Sequence, residues 1–197
     1  MPRPREHDPD AVKDALALTF LRFGYAGTSF SELEAATQLN RAQLSRSYGS
    51  KKRLFLNALS RTMDWRYEEH LRPLATHGGL DEIRNLLLAI AGSGQSEEGK
   101  LGCLVCNTCR EAIAMTDPDV RKLIQLHFRR VEDAFAGALG NAVAAGTLNM
   151  SEDDIRRSSR LLYGIKITLL VLTRAGETPS VLRDIALQAV HSISEND

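Results

Sequence analysis

The stretch that decides the fold is Thr28–Leu54, TSFSELEAATQLNRAQLSRSYGSKKRL. Its capping residues and helically spaced apolar residues predict two short helices joined by a tight turn, with a third helix following at once. We expect the first short helix to begin at a cap supplied by Thr28 or Ser31 and to bury Leu33 and Ala36. Two short helices in this arrangement form a helix-turn-helix, whose second helix enters the major groove of a DNA duplex.

Positive charge is concentrated around this stretch. The whole chain has 25 Lys and Arg against 25 Asp and Glu, for a formal net charge of zero. Residues 35–63 nevertheless contain no acidic residue, and their cations are Arg41, Arg46, Lys51, Lys52, Arg53 and Arg61. Cations that contact phosphates release condensed counterions, so this block predicts double-stranded DNA as the partner. The alternative is a solvated basic face on an ordinary helical bundle.

The second short helix is expected to carry the DNA-contacting side chains. The side chains of Gln and Arg match the hydrogen-bonding edges of adenine and guanine, respectively. We therefore expect Gln43 and Arg46 to contact bases. Lys51 and Lys52, at the start of the next helix, are expected to contact the phosphate backbone. The full predicted DNA-binding set is Thr28, Ser29, Asn40, Arg41, Gln43, Ser45, Arg46, Tyr48, Lys51 and Lys52.

The segment 23–55 resembles the amino-terminal DNA-binding domain of the TetR family of one-component bacterial regulators. Two positions depart from the family pattern: Gln38 stands where the turn usually has glycine, and Ser45 replaces a tyrosine that would contact phosphate. The resemblance covers about the first third of the chain. The matching positions are Phe23, Gly24, Tyr25, Thr28, Leu44, Tyr48, Ser50, Lys51 and Leu54.

The whole chain is predicted to be all-α, with a DNA-binding domain at 1–50 and a larger helical domain at 51–197. Helical periodicity and caps recur throughout. The β-branched segment Ile165–Thr173 could be a strand, but it lies inside a capped helical pattern and is expected to be helical. About nine helices are predicted, at roughly 9–23, 29–37, 41–47, 51–71, 80–92, 101–114, 118–145, 152–174 and 179–193.

The resemblance implies that the larger domain binds a small-molecule effector and dimerises through its last two helices. The segment Leu161–Leu172 is apolar nearly all round, which supports a homodimer, although both helices could instead wrap a monomer core. A dimer with two DNA-binding helices predicts a pseudo-palindromic operator. The residues expected at the effector pocket are Trp65, Cys103, Cys106, Asn107, Arg110, His127, Phe128 and Tyr163.

The three cysteines, all within residues 103–109, do not form a disulfide framework. The sequence GCLVCN at 102–107 resembles the start of the sixth helix in a TetR branch that includes electrophile and acrylate sensors, which makes Cys103 a candidate sensing thiol. The alternative is that these thiols are small buried hydrophobes. Cys103 and Cys109 would lie about 9 Å apart along a helix, too far for one ion, although a Cys103–Cys106 pair with an outside ligand stays possible. No metal or cofactor is predicted.

Other functional classes find little support. No apolar run approaches the roughly 18 residues that span a bilayer, and the start MPRPREHDPD lacks the apolar core of a secretory signal, so we expect no membrane association and a cytoplasmic location. The loop 94–101 lacks the hydroxyl residue of a phosphate-binding loop. No metalloprotease or serine-hydrolase motif is present, so we expect no enzyme activity; the rival is a helical enzyme or carrier with an incidental basic face.

Overall fold

A computed structural model describes residues 8–194, which form helices and connecting turns with no β-strand among them. Residues 1–7 and 195–197 lie outside this range. The predicted lack of a secretory signal and the outer ends of both predicted domains concern these residues. The helices are α1 (Pro9–Gly27), α2 (Phe30–Thr37), α3 (Arg41–Tyr48), α4 (Lys51–Arg66), α5 (Arg72–His77), α6 (Leu80–Gly92), α7 (Leu104–Thr108), α8 (Ala112–Thr116), α9 (Pro118–Ala144), α10 (Glu152–Ala175) and α11 (Pro179–Ser194).

The predicted all-α class and helix count are confirmed. A π-helical turn, Tyr67–Leu71, joins α4 to α5, so the fourth predicted helix continues to residue 77 instead of ending at 71. The predicted helix at 101–114 is broken into α7 and α8, which begin later and are separated by residues 109–111. With each of these regions counted as one helix, the described part of the chain has the nine that the sequence predicts.

The start of the helix-turn-helix differs in detail from the prediction. Gly24 has a φ of +72° and ends the regular part of α1. The Thr28 hydroxyl donates to the Gly24 carbonyl at 2.6 Å and is buried, so it is not available as a cap. Ser29, and not Thr28 or Ser31, caps α2 by accepting from the Glu32 backbone N–H.

The inward face of α2 was also predicted incorrectly at one position. Leu33 is fully buried, but Ala36 is exposed and Thr37 takes the inward place. Residues four apart lie closer to the same side of a helix than residues three apart do. Thr37, and not Ala36, therefore lies on the buried side with Leu33. The following turn contains Gln38 with a φ of +58°, a left-handed conformation that glycine adopts without strain.

The molecule contains two apolar cores. The first joins α1–α4 to α7, α8 and the start of α9, and includes the edge-on pair Phe20 and Phe55 with ring centroids 5.1 Å apart. The second lies among α5, α6, α9, α10 and α11. Because the inner face of α4 belongs to the core of α1, the helices of the first third cannot be packed without it. The domain division at 50/51 stays a prediction.

The helix α10 contains the β-branched segment and confirms that it is helical. Its inward face carries Leu162, Lys166, Leu169 and Thr173, all buried. Lys166 is thus a cation in a row of core positions, only 7% exposed. None of the helices within residues 8–194 combines the length and the apolar character needed to cross a bilayer.

Candidate nucleic-acid interface and effector cavity

The helix α3 presents a polar and cationic face to solvent. Leu44, fully buried, holds it against the first core, while Gln43, Ser45 and Arg46 are exposed. Asn40 caps the helix: its side chain accepts from the Gln43 N–H, and Gln43 Oε1 accepts from the Asn40 N–H, both at 2.9 Å. Arg46 makes no hydrogen bond or ion pair within residues 8–194, so its guanidinium can bind a partner without losing an internal contact.

Two further cations flank this face. The guanidinium of Arg41 lies 4.5 Å from the ring centroid of Phe30, and its backbone N–H donates to the Glu34 carboxylate, which ties α3 to α2. The ammonium of Lys51 lies 4.8 Å from the ring centroid of Tyr25. Lys51 begins α4, whose free N–H groups favour an anion such as a phosphate.

Lys52 has an internal role that the sequence does not reveal. Its Nζ lies 2.7 Å from Asp117 and 3.0 Å from Asp119, at the start of α9. The hydrogen bond that Lys52 donates to Asp117 is the main cause that raises the pKa of Lys52. Lys52 therefore connects α4 to α9 and is less available to DNA than Lys51.

The ten predicted DNA-binding residues thus occupy three kinds of environment. Thr28 is buried, and its hydroxyl bonds to the backbone. Tyr48, Lys51 and Lys52 are half-buried. The exposed members are Ser29, Asn40, Arg41, Gln43, Ser45 and Arg46.

Glu111 is a contact residue that sequence reasoning missed. It lies between α7 and α8, and its carboxylate accepts from the backbone N–H groups of Tyr25 at 3.1 Å and Ala26 at 3.0 Å. A Cβ at Gly24 would come within 2.9 Å of this carboxylate, so both the positive φ and the close approach require glycine there. A lone Glu gives no sequence signal for a contact 86 residues away.

A cavity of about 560 Å³ lies between α1, α4, the π-helical turn, α6, α9 and α10. Its size falls within the usual range for small-molecule sites. Trp65 stands at its rim with 57% of its surface exposed. The aliphatic part of its wall includes Leu18, Leu21, Leu86, Ile90, Leu104 and Leu170.

Three basic side chains of the cavity lining form what we call the basic cluster: Arg66, His127 and Lys166. Arg66 Nε and His127 Nδ1 are buried and have no hydrogen-bond partner, and Lys166 has no ion pair within the described residues. Burial lowers the pKa of Lys166 and lowers that of His127 to about 4. Arg66 precedes the π-helical turn. Such turns are rare in proteins, and those that do occur are often found at functional sites.

Cys103 lies beside the cavity wall, between the lining residues Gly102 and Leu104, and is buried. A hydrogen bond from Cys106 lowers the pKa of Cys103 well below its usual value, and the positive charges of Arg66 and Lys166 lower it further. The same pairing raises the pKa of Cys106. In residues 8–194 no group of three or more His, Cys, Asp or Glu side chains is placed to hold a metal ion.

The eight residues predicted for the effector pocket do not come together as one site. Trp65 and His127 line the cavity, Cys103 lies between two lining residues, and Cys106 is hydrogen-bonded to Cys103. The Asn107 amide donates to the Leu101 carbonyl at 2.9 Å, and Arg110 is exposed. The rings of Phe128 and Tyr163 contact each other, with centroids 5.2 Å apart, and do not line this cavity.

Arg66 and Lys166 were not among the predicted residues. A signal for Lys166 was present, since it stands four residues after Leu162 and three before Leu169 on one face of an apolar helix. The buried face of such a helix rarely contains an unpaired cation without a functional reason.

The comparisons with known proteins agree with this architecture. No family model matches the chain. The uncharacterized HTH-type transcriptional regulator YezE of Bacillus subtilis (strain 168) is 26% identical over 185 residues, covering 93% of this chain and 95% of that protein.

Solved structures share the fold over nearly the whole length. A cysteine mutant of the TetR family regulator CifR, complexed with 26bp double-strand operator DNA, has a TM-score of 0.83 at 21% identity and covers 96% of this chain and 99% of that one. A TetR regulator from Chloroflexus aurantiacus has a TM-score of 0.81 at 24% identity, covering 94% and 93%. The fold that the sequence resemblance implies is confirmed.

Proposed function

Since the chain has the fold of TetR-family transcriptional regulators, we propose that it is a DNA-binding regulator. In this proposal it acts as a homodimeric repressor that a small-molecule effector releases from its operator. The observation that supports this most directly is the exposed face of α3, where Arg46 and Gln43 are accessible to solvent on a helix anchored by Leu44. Such a helix suits the major groove.

The side chains of α3 and α4 divide into two roles. Arg46 and Gln43 would contact base edges, because a guanidinium matches guanine and an amide matches adenine. Arg41, Lys51 and the N-terminus of α4 would contact phosphates. Lys52 and Thr28 would act indirectly: Lys52 holds α4 against α9, and Thr28 fixes the turn before α2.

A homodimer would place two such helices on one duplex. The outer face of α10 carries Leu161, Gly164, Thr168 and Val171, all exposed, and Val181 is exposed on α11. A Cβ at Gly164 would meet nothing within 4 Å, so another helix could approach closely there. Pairing of α10 and α11 with a second copy would form a four-helix interface, and a twofold axis then calls for a pseudo-palindromic operator.

Release by an effector would follow from where the cavity lies. Its wall includes α1, which belongs to the DNA-binding unit, and α4, which connects that unit to the rest. A ligand that fits the cavity better in one relative position of these helices shifts the population toward that position. The proposed partners are thus operator DNA, a second copy of the chain and a small molecule, with no membrane partner. We also propose that the protein is not an enzyme and that it acts in the cytoplasm.

Thiol sensing by Cys103 is the second candidate, favoured by its place beside the cavity that Arg66 and Lys166 line and by the lowering of its pKa by their charges. A thiolate is the reactive form of cysteine. Treatment with N-ethylmaleimide should then release wild-type protein from its DNA but leave a Cys103→Ser variant bound. A Cys109→Ser variant, which changes an exposed thiol outside the cluster, is the control. Equal release of wild type and Cys103→Ser would remove this candidate.

The main proposal is tested by selecting bound duplexes from a random pool and measuring affinity by fluorescence anisotropy. We expect a selected site with two related half-sites and a dissociation constant that rises steeply between 50 and 200 mM salt, by roughly 10³-fold for six phosphate contacts. A helical enzyme or carrier with an incidental basic face would give no enriched site. Absence of enrichment would contradict the regulator.

A further inference from the structure

The basic cluster at the cavity lacks the partners that buried polar groups normally have. Arg66 Nε and His127 Nδ1 have no hydrogen-bond partner, and Lys166, only 7% exposed, has no ion pair among the described residues. A buried cation without a partner has lost its hydration, which is unfavourable unless another group compensates the charge. Apolar side chains would fill these positions at lower cost, so the three groups are better explained by a ligand than by stability.

The charges around the cluster do not supply that compensation. Of the acids in the cavity lining, Asp14 is paired with Arg61 at 2.6 Å, and Glu98 is exposed on the loop after α6. The buried thiol of Cys103 interacts electrostatically with Arg66 and Lys166, and it carries at most one negative charge. The cavity therefore presents an excess of positive charge at its inner end.

Much of the remaining cavity wall is apolar. Leucine and isoleucine side chains from α1, α6, α7 and α10 cover its walls, and Trp65 stands at the rim. A ligand that satisfied only the basic cluster would leave this surface wet, and a wholly apolar ligand would leave the cluster unpaired. Burial of an alkyl chain against this wall would remove apolar surface from water, which favours binding.

We propose that the cavity binds an amphipathic monocarboxylate, with the carboxylate against Lys166 and Arg66 and the apolar tail along the leucine wall. This inference rests on the proposed effector role of the cavity and specifies the chemical class of the ligand. A guanidinium and a carboxylate form the strong, charge-assisted hydrogen bonds that the cluster lacks. His127, neutral at physiological pH, would donate or accept as its tautomer allows.

The test compares three eight-carbon probes that differ only in the head group: octanoate, octan-1-ol and octylamine. Binding to the full-length protein is followed by calorimetry and by the fluorescence of Trp65, the chain's single tryptophan. We expect octanoate to bind at least tenfold more tightly than octan-1-ol, and octylamine to bind more weakly than both. Equal affinity for octanoate and octan-1-ol would overturn the proposal.

Substitution of the cluster provides the second arm. Lys166→Met keeps the length and removes the charge, so the preference for octanoate over octan-1-ol should fall at least tenfold while the affinity for octan-1-ol stays the same. Lys122→Met changes an exposed lysine of α9 and is the matched control. Arg66→Gln should also reduce the preference, and thermal unfolding checks that each variant is folded. An unchanged preference in both cluster variants would refute the assignment.

Binding to the selected duplex, measured in the same preparations, separates this inference from the proposed function. Octanoate binding without any DNA binding would leave the ligand class standing and contradict the regulator. DNA binding together with equal affinities for all three probes would contradict the ligand class and leave the regulator standing.

Discussion

Glu111 accepts a hydrogen bond from the backbone N–H of Tyr25 at 3.1 Å, and so joins the segment after α7 to the end of α1. The helix that ends three residues earlier, α7, begins with the cavity residue Leu104. A second connection of this kind, between α4 and α9, is the ion pair of Lys52 with Asp117. A ligand that moves α7 would therefore act on the end of α1 through Glu111.

Replacement of Glu111 by Gln should weaken this connection. The carboxylate bonds two backbone N–H groups, whereas an amide offers one acceptor and points a donor at the other N–H. We expect the free energy of unfolding to fall by about 1–3 kcal/mol, as for the loss of hydrogen bonds to a charged group. Urea unfolding measures this effect.

The same variant should show a smaller ligand-induced change in DNA affinity. Glu69→Gln, on the exposed side of the π-helical turn, is the control and should leave stability and coupling unchanged. If Glu111→Gln and Glu69→Gln behave alike, Glu111 does not couple the two parts.

Lys166→Met should make the protein more stable. Burial lowers the pKa of Lys166, which means that the charged form is penalised in the folded state. Removal of this charge should raise the free energy of unfolding by about 1–4 kcal/mol. The gain should be largest below the folded pKa and shrink as the pH rises toward 10.5, where the unfolded lysine also loses its proton. Urea unfolding at several pH values checks it; a destabilised variant would assign Lys166 a structural role.

His127 should make stability depend on pH. Its folded pKa, about 4, lies below the ordinary value of 6.5, so the unfolded chain binds more protons between these values. Stability is then fully present above pH 6.5 and is lost as the pH falls toward 4, by up to about 3 kcal/mol for this residue. Comparison with His127→Leu isolates the effect, since the free energy of unfolding of that variant should lack this decrease between pH 6.5 and pH 4. Parallel curves for the two proteins would contradict the burial of a neutral His127.

Gln38→Gly should stabilise the helix-turn-helix. Gln38 has a φ of +58°, which costs a non-glycine residue about 1 kcal/mol, and its side chain makes one exposed bond to the Ala35 carbonyl at 2.7 Å. We expect a gain of about 0.5–1 kcal/mol, measured by chemical unfolding. Gln38→Ala loses the same bond without relieving the strain, so it should be less stable than wild type. Glycine and alanine variants of equal stability would show that the turn is not strained.

Arg46→Ala should weaken binding to the selected duplex. One guanidinium that reads a guanine contributes about 1–3 kcal/mol, so we expect an affinity loss of roughly 5- to 150-fold and less discrimination at one base pair. Arg129→Ala removes an exposed arginine from α9 and should have little effect. Anisotropy titrations against the selected and scrambled duplexes measure both. Equal losses in the two variants would indicate non-specific attraction only.

The sequence alone predicts the parts of the molecule that depend on neighbouring residues. Asn40 and Ser50 identify the starts of α3 and α4 because a cap bonds to N–H groups two or three residues away. The exposed face of α3 follows from its period and from the buried Leu44. Errors arose where two local solutions compete, as at Thr28 and Ser29, or where the exposed position was one residue off, as at Ala36.

Contacts between distant residues were decided only by the tertiary structure. Glu111 meets Tyr25 across 86 residues, and Lys52 meets Asp117 across 65, because the packing of α7 and α9 against the first core brings them together. The burial of Lys166 beside Arg66 likewise depends on which face of α10 turns inward and on where the π-helical turn places α4. Periodicity and capping are short-range and can be derived from the sequence. The sign and strength of the charges inside a cavity depend on every helix that surrounds it.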